Sequence, residues 1–230
     1  MCGRFTHLYK WKQIHALLSL TSPRPPAELR ERYNVAPTQL APVAIATPEA
    51  GRSLEMLRWG LVPRWAESLA VGSRMINARA ETVRTKPAFR DAFARRRCLV
   101  PVSGFYEWQK FEGQTRKQAW YIRPNSDLVL CFAGLWERWN SPEGEEVRSF
   151  TVVTTTPNER MAPIHDRMPV ILAPEHFETW LRAPAEEGDR LEALLTPCAP
   201  GMIETVRVGT WVNSPAHDDP ACVEPVAELF

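Results

Sequence analysis

Cys98-Leu-Val-Pro-Val-Ser-Gly-Phe-Tyr-Glu-Trp-Gln109 holds two short runs, 98–102 and 104–109, of apolar, β-branched and aromatic side chains suited to a pleated surface. Neither run reaches the roughly 10–12 residues at which a buried helix becomes the better reading. Working outward, similar runs occupy 42–46, 54–59, 118–123, 128–136, 147–155 and 168–172, many of them bounded by Pro, Gly, Asn or Asp. Helical spacing is scarcer. Leu8, Trp11, Ile14, Leu17 and Leu18 predict an amphipathic helix over 8–20, which Pro23, Pro25 and Pro26 bring to an end. Short helices are expected at 87–95, 174–182 and 185–195. The strands do not alternate with helices as a doubly wound sheet requires. The expectation is therefore an α+β protein, one β-rich domain of antiparallel sheets with a few short helices spanning residues 1–230.

Composition narrows the function. At 230 residues and 44% hydrophobic, the chain is long enough to bury a proper core. Apolar runs such as Leu40-Ala-Pro-Val-Ala-Ile-Ala46 fall far short of the roughly 18 residues a membrane span needs. The run Ile14-His-Ala-Leu-Leu-Ser-Leu20 is too short, and has no small-residue cleavage site after it, to act as a secretory signal. Five cysteines, at 2, 98, 131, 198 and 222, form no C-x-x-C pair, which argues against a disulfide framework and a Cys-rich zinc site. Phosphate-loop, dinucleotide, zinc-protease and calcium-loop motifs are absent too. A cytoplasmic monomer without metal, cofactor or membrane partner is expected.

The formal net charge of +1 conceals a polarity. Residues 1–125 carry 16 Arg and 5 Lys against 9 acids, net +12, whereas residues 126–230 carry 7 Arg and no Lys against 18 acids, net −11. Arg-rich basic surface suits forked contacts to phosphate and stacking on bases. Mutual neutralisation across an internal interface would produce the same arithmetic.

Cys2 becomes chemically special if Met1 is removed, because its α-amine and thiol then sit on adjacent carbons. Reference pKa values of about 7.7–8.0 and about 8.5 leave both partly in nucleophilic form near neutral pH. Such a 1,2-aminothiol condenses with an aldehyde to an imine, and the thiol then closes onto the same carbon as a five-membered thiazolidine. In Asn77-Ala-Arg-Ala-Glu-Thr82 an extended chain would point Asn77 and Arg79 to one side, as an anchor for a sugar or phosphate oxygen or as a polar turn into the following helix. Glu107, between Tyr106 and Trp108, is a candidate proton carrier if its face is dry and an ordinary surface residue if that face is wet. His165 has Asp166 and Arg167 beside it, yet neighbours on an extended chain point apart, so no Cys-His-Asp triad follows. Trp59 and Trp65 flank a loop with Arg58 and Arg64 nearby, an arrangement fit for stacking on single-stranded bases. Arg95-Arg-Arg97 is read as a basic helix end, and Cys98 and Cys131 as core thiols.

Six motifs then occur in order: Met1-Cys-Gly-Arg-Phe5, Arg32-Tyr-Asn-Val-Ala-Pro-Thr38, Trp59-Gly-Leu-Val-Pro63, Ile76-Asn-Ala-Arg-Ala-Glu-Thr82, Gly104-Phe-Tyr-Glu-Trp108 and Ile164-His-Asp-Arg-Met-Pro169. Over nearly the whole chain this set closely resembles the SOS-response-associated peptidase (SRAP) family. The resemblance implies a sensor of abasic sites in single-stranded DNA that attaches itself covalently through its N-terminal Cys, after removal of Met1 that the family name describes as self-processing. By the same resemblance Cys2 is the nucleophile, Asn77 orients the sugar and the terminal group, and Glu107 and His165 move protons. Arg4, Arg79 and Arg167 are implied phosphate contacts and Trp65 a stacking or wedging side chain. The segment Val212-Asn-Ser-Pro-Ala-His-Asp-Asp219 departs from the pattern in being more acidic, although Asn213 fits it.

Two other readings use the same residues. An N-terminal-nucleophile hydrolase would attack an amide with Cys2 and need no DNA, and a non-covalent single-strand binder would keep all function in Cys2→Ala.

Overall fold

The computed structural model describes residues 2–49, 51–113, 115–126 and 128–226; Met1 lies outside them. Among the described residues, twelve strands and four short helices are arranged around two sheets. The first sheet has five strands in the order β12 (Ile203–Val208), β8 (Lys117–Pro124), β7 (Gly104–Lys110), β1 (Phe5–His7), β2 (Arg32–Val35), all antiparallel. The second runs β11 (Met168–Pro169), β10 (Glu146–Thr155), β4 (Arg52–Trp59), β3 (Leu40–Ala46), β6 (Arg97–Val102), β9 (Leu130–Asn140). Because β9 also pairs with β10, this sheet closes on itself as a five-strand barrel, with β11 and β5 (Asn77–Arg79) attached to β10.

Closure depends on β10, which pairs with β4 through Ser149 and Phe150 and then with β5 through Val152, Val153 and Thr154, while β9 runs along its other edge. Both the β4 and β5 pairings are parallel, so the expected antiparallel sheets contain two parallel joints. The run expected as a strand over 168–172 is one only at 168–169. It changes partner midway: Val170 donates its N–H to Val153 of β10, and Leu172 donates to Cys131 of β9. The first helix, α1, covers Trp11–Leu18 rather than 8–20. The other helices are α2 (Arg90–Arg95), α3 (Phe177–Arg182) and α4 (Gly188–Glu192), the last two entered through single 3₁₀ turns.

Alternation along the barrel strands sorts the core into two layers. Leu99, Ala133 and Leu135 face Ile14, Leu18, Phe93 and Trp180 of the helices. Cys98, Val100, Val102 and Phe132 cluster with Phe5, Val35, Phe105 and Ile122 of the five-stranded sheet. Gly104 is required where β7 begins, since a Cβ there would come within 2.5 Å of the Tyr121 ring. That close approach leaves the Tyr121 hydroxyl 2.9 Å from Thr6 Oγ1 and fixes β1 against the β7–β8 hairpin.

Arg97, at the end of the basic run, is structural as expected. Its buried guanidinium donates to the carbonyls of Phe93, Ala94, Trp180 and Ala183, joining the C-terminal ends of α2 and α3. Arg97→Met is expected to strand these acceptors and cost about 3 kcal/mol or more. Urea unfolding midpoints of the two proteins measure it, and a loss below about 1 kcal/mol would show that water replaces the guanidinium.

Candidate functional site

The site lies where β1, β5, β7 and the turn before β11 meet. Cys2, three residues ahead of β1, is fully buried in the layer containing Phe5 and Trp59. Its carbonyl accepts a 2.8 Å hydrogen bond from Asn77 Nδ2. Asn77 is held at the head of β5 because the Ile76 carbonyl accepts both the Trp59 indole N–H at 3.0 Å and the Val152 amide at 3.1 Å. Its own Oδ1 is buried without a hydrogen-bond partner among the described residues, an acceptor costly to leave unused. Burial, and then the nearby charge of Glu107, push the Cys2 thiol well above its ordinary value. In this setting the sulfur holds its proton more tightly than a free thiol and needs a base to release it.

Glu107 sits in the middle of β7, opposite Trp120 of β8. Its side chain is only 2% exposed, so the wet-face alternative is excluded. Desolvation drives its pKa from an ordinary 4.5 up to about 7, with the Asp166 charge adding to the rise. Such a carboxyl is part protonated at neutral pH and can both give and accept a proton. His165 Nε2 lies 3.8 Å from Glu107 Oε2. Burial lowers the imidazole pKa, so the neutral ring predominates near pH 7.

The His165 turn is anchored by residues the sequence did not single out. Asn158 accepts the Met161 amide on Oδ1 at 3.0 Å and donates its Nδ2 to the Cys198 carbonyl, also at 3.0 Å. Gln109 of β7 donates to the Pro163 carbonyl at 2.8 Å, tying the strand of Glu107 to the turn of His165. Because 161–165 is a turn and not extended chain, Asp166 does not point away: its Oδ1 is 2.8 Å from His165 Nδ1. The turn thus brings together the two neighbours that an extended chain would have pointed apart.

The four residues offered as DNA contacts are placed less uniformly. Arg79 is exposed on the same short strand as Asn77. Arg167 is held by Glu81, Nη1 to Oε1 at 2.6 Å and Nη2 to Oε2 at 2.9 Å, and by the Thr154 carbonyl at 2.6 Å. Arg4 donates to Asn34 Oδ1 at 2.8 Å, the Val212 carbonyl at 2.9 Å and the Asn213 carbonyl at 3.3 Å. Trp65 is 61% exposed on the loop after β4, while Trp59 is core. The acidic 212–219 segment acquires a structural role through Asp218, whose carboxylate accepts the Arg32 guanidinium and the amides of Tyr33 at 2.6 Å and Asn34 at 2.8 Å. Asn213 accepts the Trp108 indole N–H at 2.7 Å. Around it, Arg4, Trp108, Thr115, Arg116, Lys117 and Thr210 line an open cavity of about 690 Å³. Arg116, just before β8, and Lys117, its first residue, carried no motif and could have been found only from the hairpin register.

The family model for the SOS response associated peptidase (SRAP) matches residues 1–215. The abasic site processing protein YoqW of Bacillus subtilis (strain 168) is 41% identical over 224 residues, covering 97% of this chain and 99% of that one. The abasic site processing protein HMCES of Gallus gallus is 30% identical over 229 residues, covering 86% of this chain and 67% of the other. Among solved structures, a crystal structure of a Bacteroides thetaiotaomicron protein superposes with a TM-score of 0.86 at 27% identity, covering 98% of this chain and all of that one. Among the described residues no helix is long and apolar enough to cross a membrane.

Proposed function

The chain belongs to the SOS response associated peptidase (SRAP) family, and from that premise we propose that it processes abasic sites in single-stranded DNA by covalent capture on Cys2. The observation that carries the reading is that Asn77 holds the Cys2 backbone and Glu107 acts on its thiol, with His165 at 3.8 Å from Glu107. Hydrolysis of the Met1–Cys2 bond, by the protein itself or by an aminopeptidase, frees the α-amine. The amine adds to the aldehyde of the ring-opened sugar, giving a carbinolamine. Glu107, part protonated near pH 7, donates the proton with which water leaves and so becomes a carboxylate. That carboxylate is the base the raised thiol requires: it takes the thiol proton, and sulfur adds to the iminium carbon while the C=N electron pair returns to the nitrogen, which keeps its one proton. Aldehyde and aminothiol thus become a thiazolidine and one water, with no cofactor in the balance.

His165 acts before this sequence, as the acid that opens the closed sugar, and again on reversal. Asn77 holds the Cys2 carbonyl with its amide nitrogen and turns its buried Oδ1 to the incoming groups. Strand contacts fall to exposed Arg79, to the cavity of Arg4, Trp108, Arg116 and Lys117, and to Trp65 as a stacking surface. Arg167 joins them when a phosphate replaces Glu81 on its guanidinium. Closing the thiazolidine removes the imine that would promote strand cleavage, so capture also shields the DNA.

The test is a single-stranded oligonucleotide with one abasic site, mixed with the purified protein and resolved after heating. A shifted band that needs both the abasic site and Cys2 is expected. Turnover of a peptide or amide with no such band would put the N-terminal-nucleophile hydrolase in its place.

A further inference from the structure

The imidazole of His165 has two partners on one nitrogen. The backbone N–H of Arg167 donates to Nδ1 at 3.0 Å, and Asp166 Oδ1 lies 2.8 Å from the same atom. A single protonation state cannot satisfy both. A neutral ring that accepts from the Arg167 amide carries its proton on Nε2, the nitrogen facing Glu107. An imidazolium has a proton on each nitrogen and no lone pair for that amide, but its Nδ1–H is placed to donate to Asp166.

We propose that Asp166 is a positioning residue that stabilises the imidazolium of His165 for sugar ring opening, exchanging with the Arg167 amide as Nδ1 gains and loses its proton. This inference rests on the abasic-site reading above. In the step it serves, the ring C–O bond of the closed sugar breaks and the ring oxygen takes the Nε2 proton. The hydroxyl on the same carbon gives its proton to water as the aldehyde C=O forms, leaving a neutral imidazole with its proton on Nδ1, which accepts the Arg167 amide again once that proton is lost to solvent and Nε2 is reprotonated. Without a carboxylate at Nδ1, little imidazolium would be available near neutral pH, since burial and the positive charges of Lys117 and the amino terminus all oppose it. Glu107 faces Nε2 from β7, but it is itself part protonated there and supplies only a fraction of a charge. Asp166 places a carboxylate 2.8 Å from Nδ1, and at 87% exposure its side chain can be changed without disturbing the core.

Asp166→Asn keeps the shape and an acceptor oxygen but removes the charge. An opposite charge at this range moves a pKa by about one unit or more, and solvent exposure holds the effect toward about half a unit to one unit here. Adduct formation by Asp166→Asn should therefore be about three- to tenfold slower than wild type at pH 7.5 under single-turnover conditions, the gap narrowing as the pH falls toward 5. In ¹⁵N spectra of the full chain, the His165 ring should titrate about half a unit to one unit lower in the variant. Asp166→Glu should recover most of the rate, and adding Asp166→Asn to His165→Ala should slow nothing further. An equal slowing at every pH, or an unmoved His165 titration, would overturn the proposal. Should wild type form no adduct at all, the reading beneath it fails, and the titration still decides whether Asp166 sets the charge of His165.

Discussion

Cys2→Ala is expected to lower the yield of heat-stable DNA adduct by about 10³-fold or more, because it removes the only sulfur beside the freed amine. The more informative result is what replaces the adduct. Once Met1 has gone, the variant still presents an α-amine next to Asn77, Glu107 and His165, so an imine can form. With no thiol to close the ring, the imine either hydrolyses or loses the 3′ phosphate by β-elimination. Cys2→Ala and Cys2→Ser should therefore turn a shield into a source of nicked strands, seen as a shorter oligonucleotide on a denaturing gel. Borohydride should trap the variants' imine as a stable amine and leave the wild-type adduct unchanged. Undiminished heat-stable adduct in Cys2→Ala would instead place the reacting group elsewhere.

Glu107→Gln is expected to separate stability from function. Its side chain cannot act as acid or base, and losing a positioned proton carrier costs about 10²–10⁴-fold in adduct rate. Stability should move the other way. The folded pKa of Glu107 stands above its ordinary 4.5, at about 7, so between these values the folded chain binds more protons than the unfolded one. The contribution of this group to stability is therefore complete below pH 4.5 and is lost as pH rises through 7. The span corresponds to about 3 kcal/mol. Glutamine does not titrate, so the variant should gain on wild type by about 2–3 kcal/mol between pH 4.5 and pH 8 in urea unfolding. A stability difference that stays the same at both pH values would mean that Glu107 is not desolvated in the folded chain.

Much of this arrangement was legible from sequence, and the illegible parts have physical reasons. Strands β3, β4 and β6–β10 each carry enough apolar periodicity to be read directly, and Cys98 and Cys131 fall in the core as expected. Strands β1 and β5 have three residues apiece, too few for any period; β1 exists because β2 and β7 pair with it on both sides, and β5 because β10 pairs with it. The β12 segment has half-buried side chains along most of its length, so its edge position blurs the alternation. Barrel closure is a tertiary event on β10 with no local signal.

The site divides in the same way. Cys2, Asn77, Glu107 and His165 stood out because each is a reactive or polar residue in a revealing setting, and the structure brings them together. Asp166 was set aside on the assumption of extended chain, which the 161–165 turn invalidates. Glu81 on Arg167, and Arg116 and Lys117 beside Trp108, depend on strand pairings that no single stretch of sequence encodes.

The central claim is that carbon 1 of an abasic sugar becomes bonded to both the nitrogen and the sulfur of Cys2. Trypsin cuts after Arg4, so the measurement is mass spectrometry of the peptide Cys2-Gly3-Arg4 from protein reacted with abasic single-stranded DNA and then treated with borohydride. The account predicts this peptide without Met1, carrying the sugar remnant with loss of one water, inert to borohydride and without a free thiol for alkylation. A peptide that takes up two hydrogens and still alkylates at sulfur, or one that carries no sugar while the DNA is nonetheless attached, would contradict it.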